Sequence, residues 1–113
     1  MIIKKEKEFK KVCSFSELKE DEGRRFIIED VEVAVFRKGD EVFALSNICP
    51  HQKSAIIHDG FIEDDRVVCP AHGWEFCLKD GNQPTGRKGL DSFEVKIENG
   101  EVFVKVFEKE LDW

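Results

Sequence analysis

The chain has 113 residues, of which 41% are hydrophobic, with ten phenylalanines, two tryptophans and no tyrosine; this supplies one small core and leaves no chain for a second. Twenty-four acidic against eighteen basic residues give a formal net charge of -6, which disfavours nonspecific attraction to phosphate backbones and anionic membrane surfaces, so neither nucleic acid nor a membrane is an expected partner. No apolar run approaches the roughly 18 residues that a bilayer crossing needs, and none stands behind the basic N-terminus; the expectation is a single soluble, cytoplasmic domain over 1–113.

In chain order, the first signal is 16–20, where Ser-Glu-Leu-Lys-Glu suggests one helical turn, with Ser14 or Ser16 as its cap and Gly23 ending the segment. Residues 26–28, 31–36 and 41–45 are rich in β-branched and aromatic side chains and read as short strands, with Lys38-Gly39-Asp40 turning between the last two. From about Asn47 to Lys88 the chain is punctuated by Pro50, Gly60, Pro70, Gly73, Gly81, Pro84 and Gly86, with short strands expected at 61–63, 66–69 and 74–78. Residues 92–97 and 101–106 alternate apolar and polar side chains around Asn99-Gly100, the strongest short-range hairpin signal. These elements predict an all-β fold: a scaffold made by the two ends of the chain, with a smaller subdomain at about 47–88 inserted between them. The acidic tail from Glu108 and Trp113 carry no assignment.

Inside the inserted stretch stand Cys49-Pro50-His51 and, after 17 intervening residues, Cys69-Pro70-Ala71-His72. Each pairs a thiol with an imidazole in a tight turn after a predicted strand. A [2Fe-2S] centre with two thiolates on one iron and two imidazoles on the other needs one ligand of each kind from each loop. Structural zinc is the competing chemistry, since two Cys and two His also close a tetrahedral site. Zinc modules, however, tend to pair Cys with Cys and His with His, whereas here each loop mixes them. A ligand loop at a strand end is held by the ladder behind it. Each proline removes an N–H and fixes one φ, and Gly73 is free to take a positive φ or to let the backbone approach closely.

The remaining candidates read more plainly. Cys13 and Cys77 show no paired spacing and are expected to stay reduced, Cys77 as a small buried thiol. His58, between the first loop and the next strand, reads as a surface or turn histidine. Lys53, close behind the first pair, reads as a solvated lysine, with an influence on potential or partner docking as the alternative. No triad, acid/base pair or mononuclear iron site is visible, so no catalytic residue and no substrate site are assigned to the chain itself.

With these motifs, residues 10–106 resemble the Rieske ferredoxins and the Rieske-like small subunits of assimilatory nitrite reductases, most closely over Cys69-Pro-Ala-His-Gly-Trp74. The resemblance implies a Rieske-type antiparallel β sandwich carrying one [2Fe-2S] cluster per chain, bound by Cys49, His51, Cys69 and His72. It implies a one-electron carrier, monomeric when free, between a flavin-dependent reductase and a terminal oxygenase or reductase. The alternative it offers is a small subunit held permanently by the large subunit of an NADH-dependent nitrite reductase. An acidic carrier would be steered toward a basic docking face. The resemblance also lays 81–86, with Pro84 as its rigid point, over the cluster's third side. High-potential Rieske proteins add a cysteine to each ligand loop and a serine after the His-Gly pair. Here Ser54, Ala71 and Trp74 stand in those places, and the missing donor implies a potential near the family's lower bound of about -150 mV.

Overall fold

The computed structural model describes residues 3–6, 8–49, 53–71, 73–86 and 89–110, with backbone alone for 3–6 and 108–110. Strands dominate it. A six-stranded antiparallel sheet runs in the order β2 (Lys10–Ser14), β10 (Glu101–Lys105), β9 (Ser92–Glu98), β5 (Glu41–Ser46), β4 (Val31–Lys38) and β3 (Gly23–Ile28). A three-stranded sheet holds β6 (Phe61–Glu63), β7 (Arg66–Val68) and β8 (Glu75–Cys77), and a two-stranded ribbon pairs β1 (Ile3–Glu6) with β11 (Phe107–Glu110).

Local turn chemistry fixes the registers. Between β9 and β10 the pair Glu98 and Glu101 leaves Asn99-Gly100 as a two-residue loop with both φ positive, at 52° and 76°, the primed turn whose twist suits a hairpin. Gly39, at φ 63°, opens the equally short loop between β4 and β5. The β3–β4 hairpin closes on Glu29-Asp30, both at positive φ (48° and 68°) without a glycine, and so it gave no turn signal in the sequence.

β4 is buried on both faces and divides two cores. Val33 and Val35 pack with Ala44, Phe93, Val102, Val104 and Val106, while Ala34 and Phe36 pack with Leu45, Ile57, Val67, Phe76, Leu78 and Leu90. Cys49 and Cys69 belong to the second core, between the large sheet and the three-stranded one. Truncating a fully buried Phe such as Phe36 or Phe76 to Ala would cost about 3–5 kcal/mol.

The helical turn expected at 16–20 is not formed. A single 3-10 turn at Phe15–Glu17 takes its place, with the Ser14 N–H donating to the Glu17 carboxylate at 2.6 Å. Leu18 is extended and only 1% exposed, because its side chain is drawn into the core. Gly23 starts β3 instead of ending a helix: a Cβ there would stand 2.5 Å from both the His58 carbonyl and the Phe36 ring. The expected strands at 66–69 and 74–78 are shorter, ending at Val68 and spanning Glu75–Cys77. Val106 is a buried break between β10 and β11. The tail from Glu108 begins inside β11, whose Phe107 ring meets Phe93 edge-on at 5.1 Å; Trp113 lies outside the described residues. Cys13 is buried, Cys77 is half-buried rather than fully buried, and neither is in a disulfide. Among the described residues no helix is long and apolar enough to cross a membrane.

Candidate metal centre

Cys69 follows β7 directly, and Cys49 follows β5 after Asn47-Ile48. Both thiols are buried, at 0% and 1% exposure, and their sulfurs lie 3.5 Å apart. A disulfide would need about 2.05 Å. A tetrahedral metal with thiolate bonds of about 2.3 Å sets its sulfurs about 3.8 Å apart. The observed separation rules out a disulfide and is short enough for both sulfurs to reach one metal ion.

The two cysteines open the same turn, used twice. The Cys49 N–H donates to the Ser54 carbonyl (2.9 Å), and the Lys53 N–H returns to the Cys49 carbonyl (2.5 Å). In the second loop the Cys69 N–H donates to the Trp74 carbonyl (2.7 Å), and the Gly73 N–H returns to the Cys69 carbonyl (3.0 Å). The offsets are identical, and the fifth residue of each turn is left-handed, Lys53 at φ 56° and Gly73 at φ 73°. Gly73 thus takes the positive φ that glycine allows, while the first loop places a lysine in the same strained region. Pro50, His51 and His72 lie outside the described residues. In sequence the two histidines fall between the first and fifth residues of these turns, at the third and fourth positions.

Behind the first turn, Ile48 and Ala55 form an antiparallel bridge. Asn47 is wholly buried and bonds to Glu32 on β4 and to His58 beyond the loop. His58 sits in a 3-10 turn at Ile57–Asp59, partly buried, with Nδ1 3.1 Å from the Asn47 Oδ1; it is a turn histidine, as expected, but not a solvent-facing one. Glu32 is gripped by Arg25 through two bonds of 2.9 and 2.6 Å. The Arg25 bond, helped by the Asn47 amide, holds the Glu32 carboxyl down to about 2. Burial, with the charge of Glu17, pushes the Cys13 thiol up, leaving it an inert core group. Asn47, Glu32 and Arg25 escaped the sequence reading. Their single signal is an amide where an apolar residue would continue the pattern of β5, and that is too weak to act on.

The segment expected to cover the cluster is clipped at its neck. Gly81 donates to the Cys77 carbonyl (2.7 Å) and accepts from the Leu90 N–H (2.8 Å), and Leu90 is buried in the core that holds both cysteines. Pro84 is exposed. Trp74 is half-buried against the same core. Two open depressions, of about 370 and 560 Å³, are lined by residues such as Glu17 and Arg24 or Asp40 and Lys79, and neither includes a cysteine. Among the described residues, which include neither His51 nor His72, no group of three or more His, Cys, Asp or Glu side chains gathers to hold a metal.

The Rieske [2Fe-2S] domain family matches residues 8–109. The chain is 30% identical over 98 residues to the ferredoxin component of the alkene monooxygenase system of Xanthobacter autotrophicus, covering 86% of this chain and 80% of the relative. It is 33% identical over 95 residues to the 3-phenylpropionate/cinnamic acid dioxygenase ferredoxin subunit of Escherichia coli, covering 81% and 88%. Its fold matches a Mycobacterium tuberculosis chain assigned as an NADH-dependent nitrite reductase small subunit, with a TM-score of 0.82 at 24% identity over 87% and 94% of the two chains. The paired thiols on twin turns, the two sheets around them and these likenesses converge: the chain belongs to the Rieske [2Fe-2S] family and carries one [2Fe-2S] cluster.

Proposed function

We propose that this chain carries one electron at a time from a flavin-dependent reductase to a terminal oxygenase, with Cys49 and Cys69 as the ligands of one iron and His51 and His72 as the ligands of the other. The observation that carries the reading is the sulfur pair, 3.5 Å apart on two turns of the same design. The cluster supplies the one-electron chemistry. The chain supplies the rest: two thiolates fixed by turn hydrogen bonds, an apolar core behind them that excludes water, and a surface at Pro70, Ala71 and Gly73 that is exposed to a partner. Stiff ligand turns keep the geometry nearly unchanged on reduction, which favours fast transfer.

The relatives' names favour an oxygenase as acceptor, since the two ferredoxins belong to a monooxygenase and a dioxygenase system. The fold likeness to the nitrite reductase subunit rests on 24% identity and does not separate the two partner classes. We further assign the whole chain to one domain, with about 47–88 as its cluster-carrying part, working in the cytoplasm as a monomer between encounters. Spectroelectrochemical titration should show uptake of one electron per chain, and size-exclusion chromatography should show a free monomer. No uptake overturns the carrier reading, while elution only in stoichiometric complex with a large reductase subunit favours a permanent subunit.

A further inference from the structure

We propose that Asn47 is a positioning residue for the cluster: braced by Glu32, its side chain holds the front and the back of the loop that carries Cys49 and His51, and so sets where that loop presents its ligands. This rests on the reading that the cluster sits on those residues.

Asn47 stands two residues before Cys49 and is fully buried. Its backbone N–H donates to the Glu32 carbonyl (3.1 Å) and its Nδ2 donates to the Glu32 carboxylate (3.0 Å), which ties the front of the loop to β4. Its Oδ1 accepts from the His58 N–H (2.7 Å), and its carbonyl accepts from the Ile57 N–H (3.3 Å), which ties down the back. The amide can point only one way. Reversing it would set oxygen against a carboxylate and N–H against N–H. Beside that fixed Oδ1 the His58 ring sets Nδ1 at 3.1 Å, with Nε2 3.6 Å from Asp59.

Glu32 in turn is locked by Arg25 in a two-bond fork. An ion pair so near the surface adds little stability by itself. Its value here is positional: it keeps a carboxylate where the buried amide needs an acceptor. Groups bonded directly to a metal ligand orient it, and losing them typically lowers metal affinity 10–100-fold; Asn47 acts one step further out, through the backbone of the loop, so the lower end of that range is expected.

The test uses the cluster-loaded protein and two substitutions that exchange donor and acceptor. Asn47→Asp keeps the acceptor for His58 but turns a second carboxylate on Glu32. Adding Glu32→Gln restores one donor and one acceptor in the reverse sense, at the wild-type net charge. With a chelator present, cluster absorbance should bleach about ten-fold faster in Asn47→Asp than in wild type, and the reduced EPR signal should change its anisotropy. The double variant should return to within about two-fold of the wild-type rate. The wild-type spectrum is read first, and if it lacks a mixed sulfur–nitrogen signal the cluster reading itself fails. With that signal present, wild-type bleaching and an unchanged spectrum in Asn47→Asp overturn the proposal, as does a double variant no better than the single. Should Asn47→Asp not fold, Glu32→Ala, which removes the acceptor, decides: faster bleaching with unchanged circular dichroism supports the proposal, and a wild-type rate overturns it.

Discussion

Lys53 and Gly73 occupy the same place in two equivalent turns, and exchanging their backbone freedom should move stability in opposite directions. Lys53 sits at φ 56°, where an L side chain costs about 1–2 kcal/mol. Replacing it with glycine removes that cost but adds unfolded-state entropy of about 0.5–1 kcal/mol, for a net stabilisation of about 0.5–1 kcal/mol. Gly73, at φ 73°, has no atom of the described residues beyond its chain neighbours within 4 Å of an added Cβ. The penalty of Gly73→Ala is therefore set by the backbone cost, about 1 kcal/mol after the unfolded-state gain. For a chain of this length about 1 kcal/mol shifts Tm by about 4 °C. Thermal unfolding of the cluster-loaded protein should thus show Lys53→Gly higher by about 2–4 °C and Gly73→Ala lower by about 4 °C. A fall in Tm for Lys53→Gly, or shifts of the same sign in both variants, would refute the equivalence of the two turns.

Lys53→Gly also removes a positive charge two residues after His51 in sequence, so potentiometry should find a lower midpoint than wild type; a higher one contradicts the placement of the cluster. The wild-type midpoint itself is expected at about -150 mV, since the resemblance puts Trp74 where high-potential relatives have a hydroxyl donor, and a value well above zero would overturn that expectation. Glu32 titrates at about 2 instead of 4.5. Its folded-state pKa is depressed, so the stabilisation is complete above about pH 4.5 and is lost as pH falls toward 2. After screening at this partly exposed pair the effect is about 1 kcal/mol. Urea midpoints between pH 5 and 3 should therefore fall less steeply for Glu32→Gln than for wild type, and parallel slopes would contradict the pairing. Gly81→Ala would drive a Cβ into the Leu90 carbonyl at a φ of 76° and should cost about 2–4 kcal/mol; a wild-type Tm would show that the neck of 81–90 is not clipped as described.

Much of the fold was legible because its turns are written in residue types. Lys38-Gly39-Asp40 and Asn99-Gly100 announced two hairpins, and the alternation in 92–97 and 101–106 announced the buried face of β9 and β10. What stayed hidden lacked such marks. Glu29-Asp30 turns without glycine, and β2 buries little besides Cys13 and so shows no alternation. The ribbon of β1 and β11 joins the two ends of the chain, a pairing no local pattern specifies. The helical reading of 16–20 failed because five residues cannot nucleate a helix against a core that claims Leu18. At the site, ligand chemistry made Cys49 and Cys69 visible, and the structure brings their sulfurs together. The shared turn was not visible, because one copy carries lysine where the other carries glycine. Asn47 was missed since burial, and not residue type, is what makes it a hub.

The central claim is a mixed thiolate–imidazole [2Fe-2S] cluster on Cys49, His51, Cys69 and His72. Its most direct test is the EPR spectrum of anaerobically purified, dithionite-reduced protein, with iron and acid-labile sulfide measured on the same sample. The account predicts a rhombic signal of low average g, together with iron and sulfide in equal amounts. Zinc without iron or sulfide, in an EPR-silent sample, would contradict it.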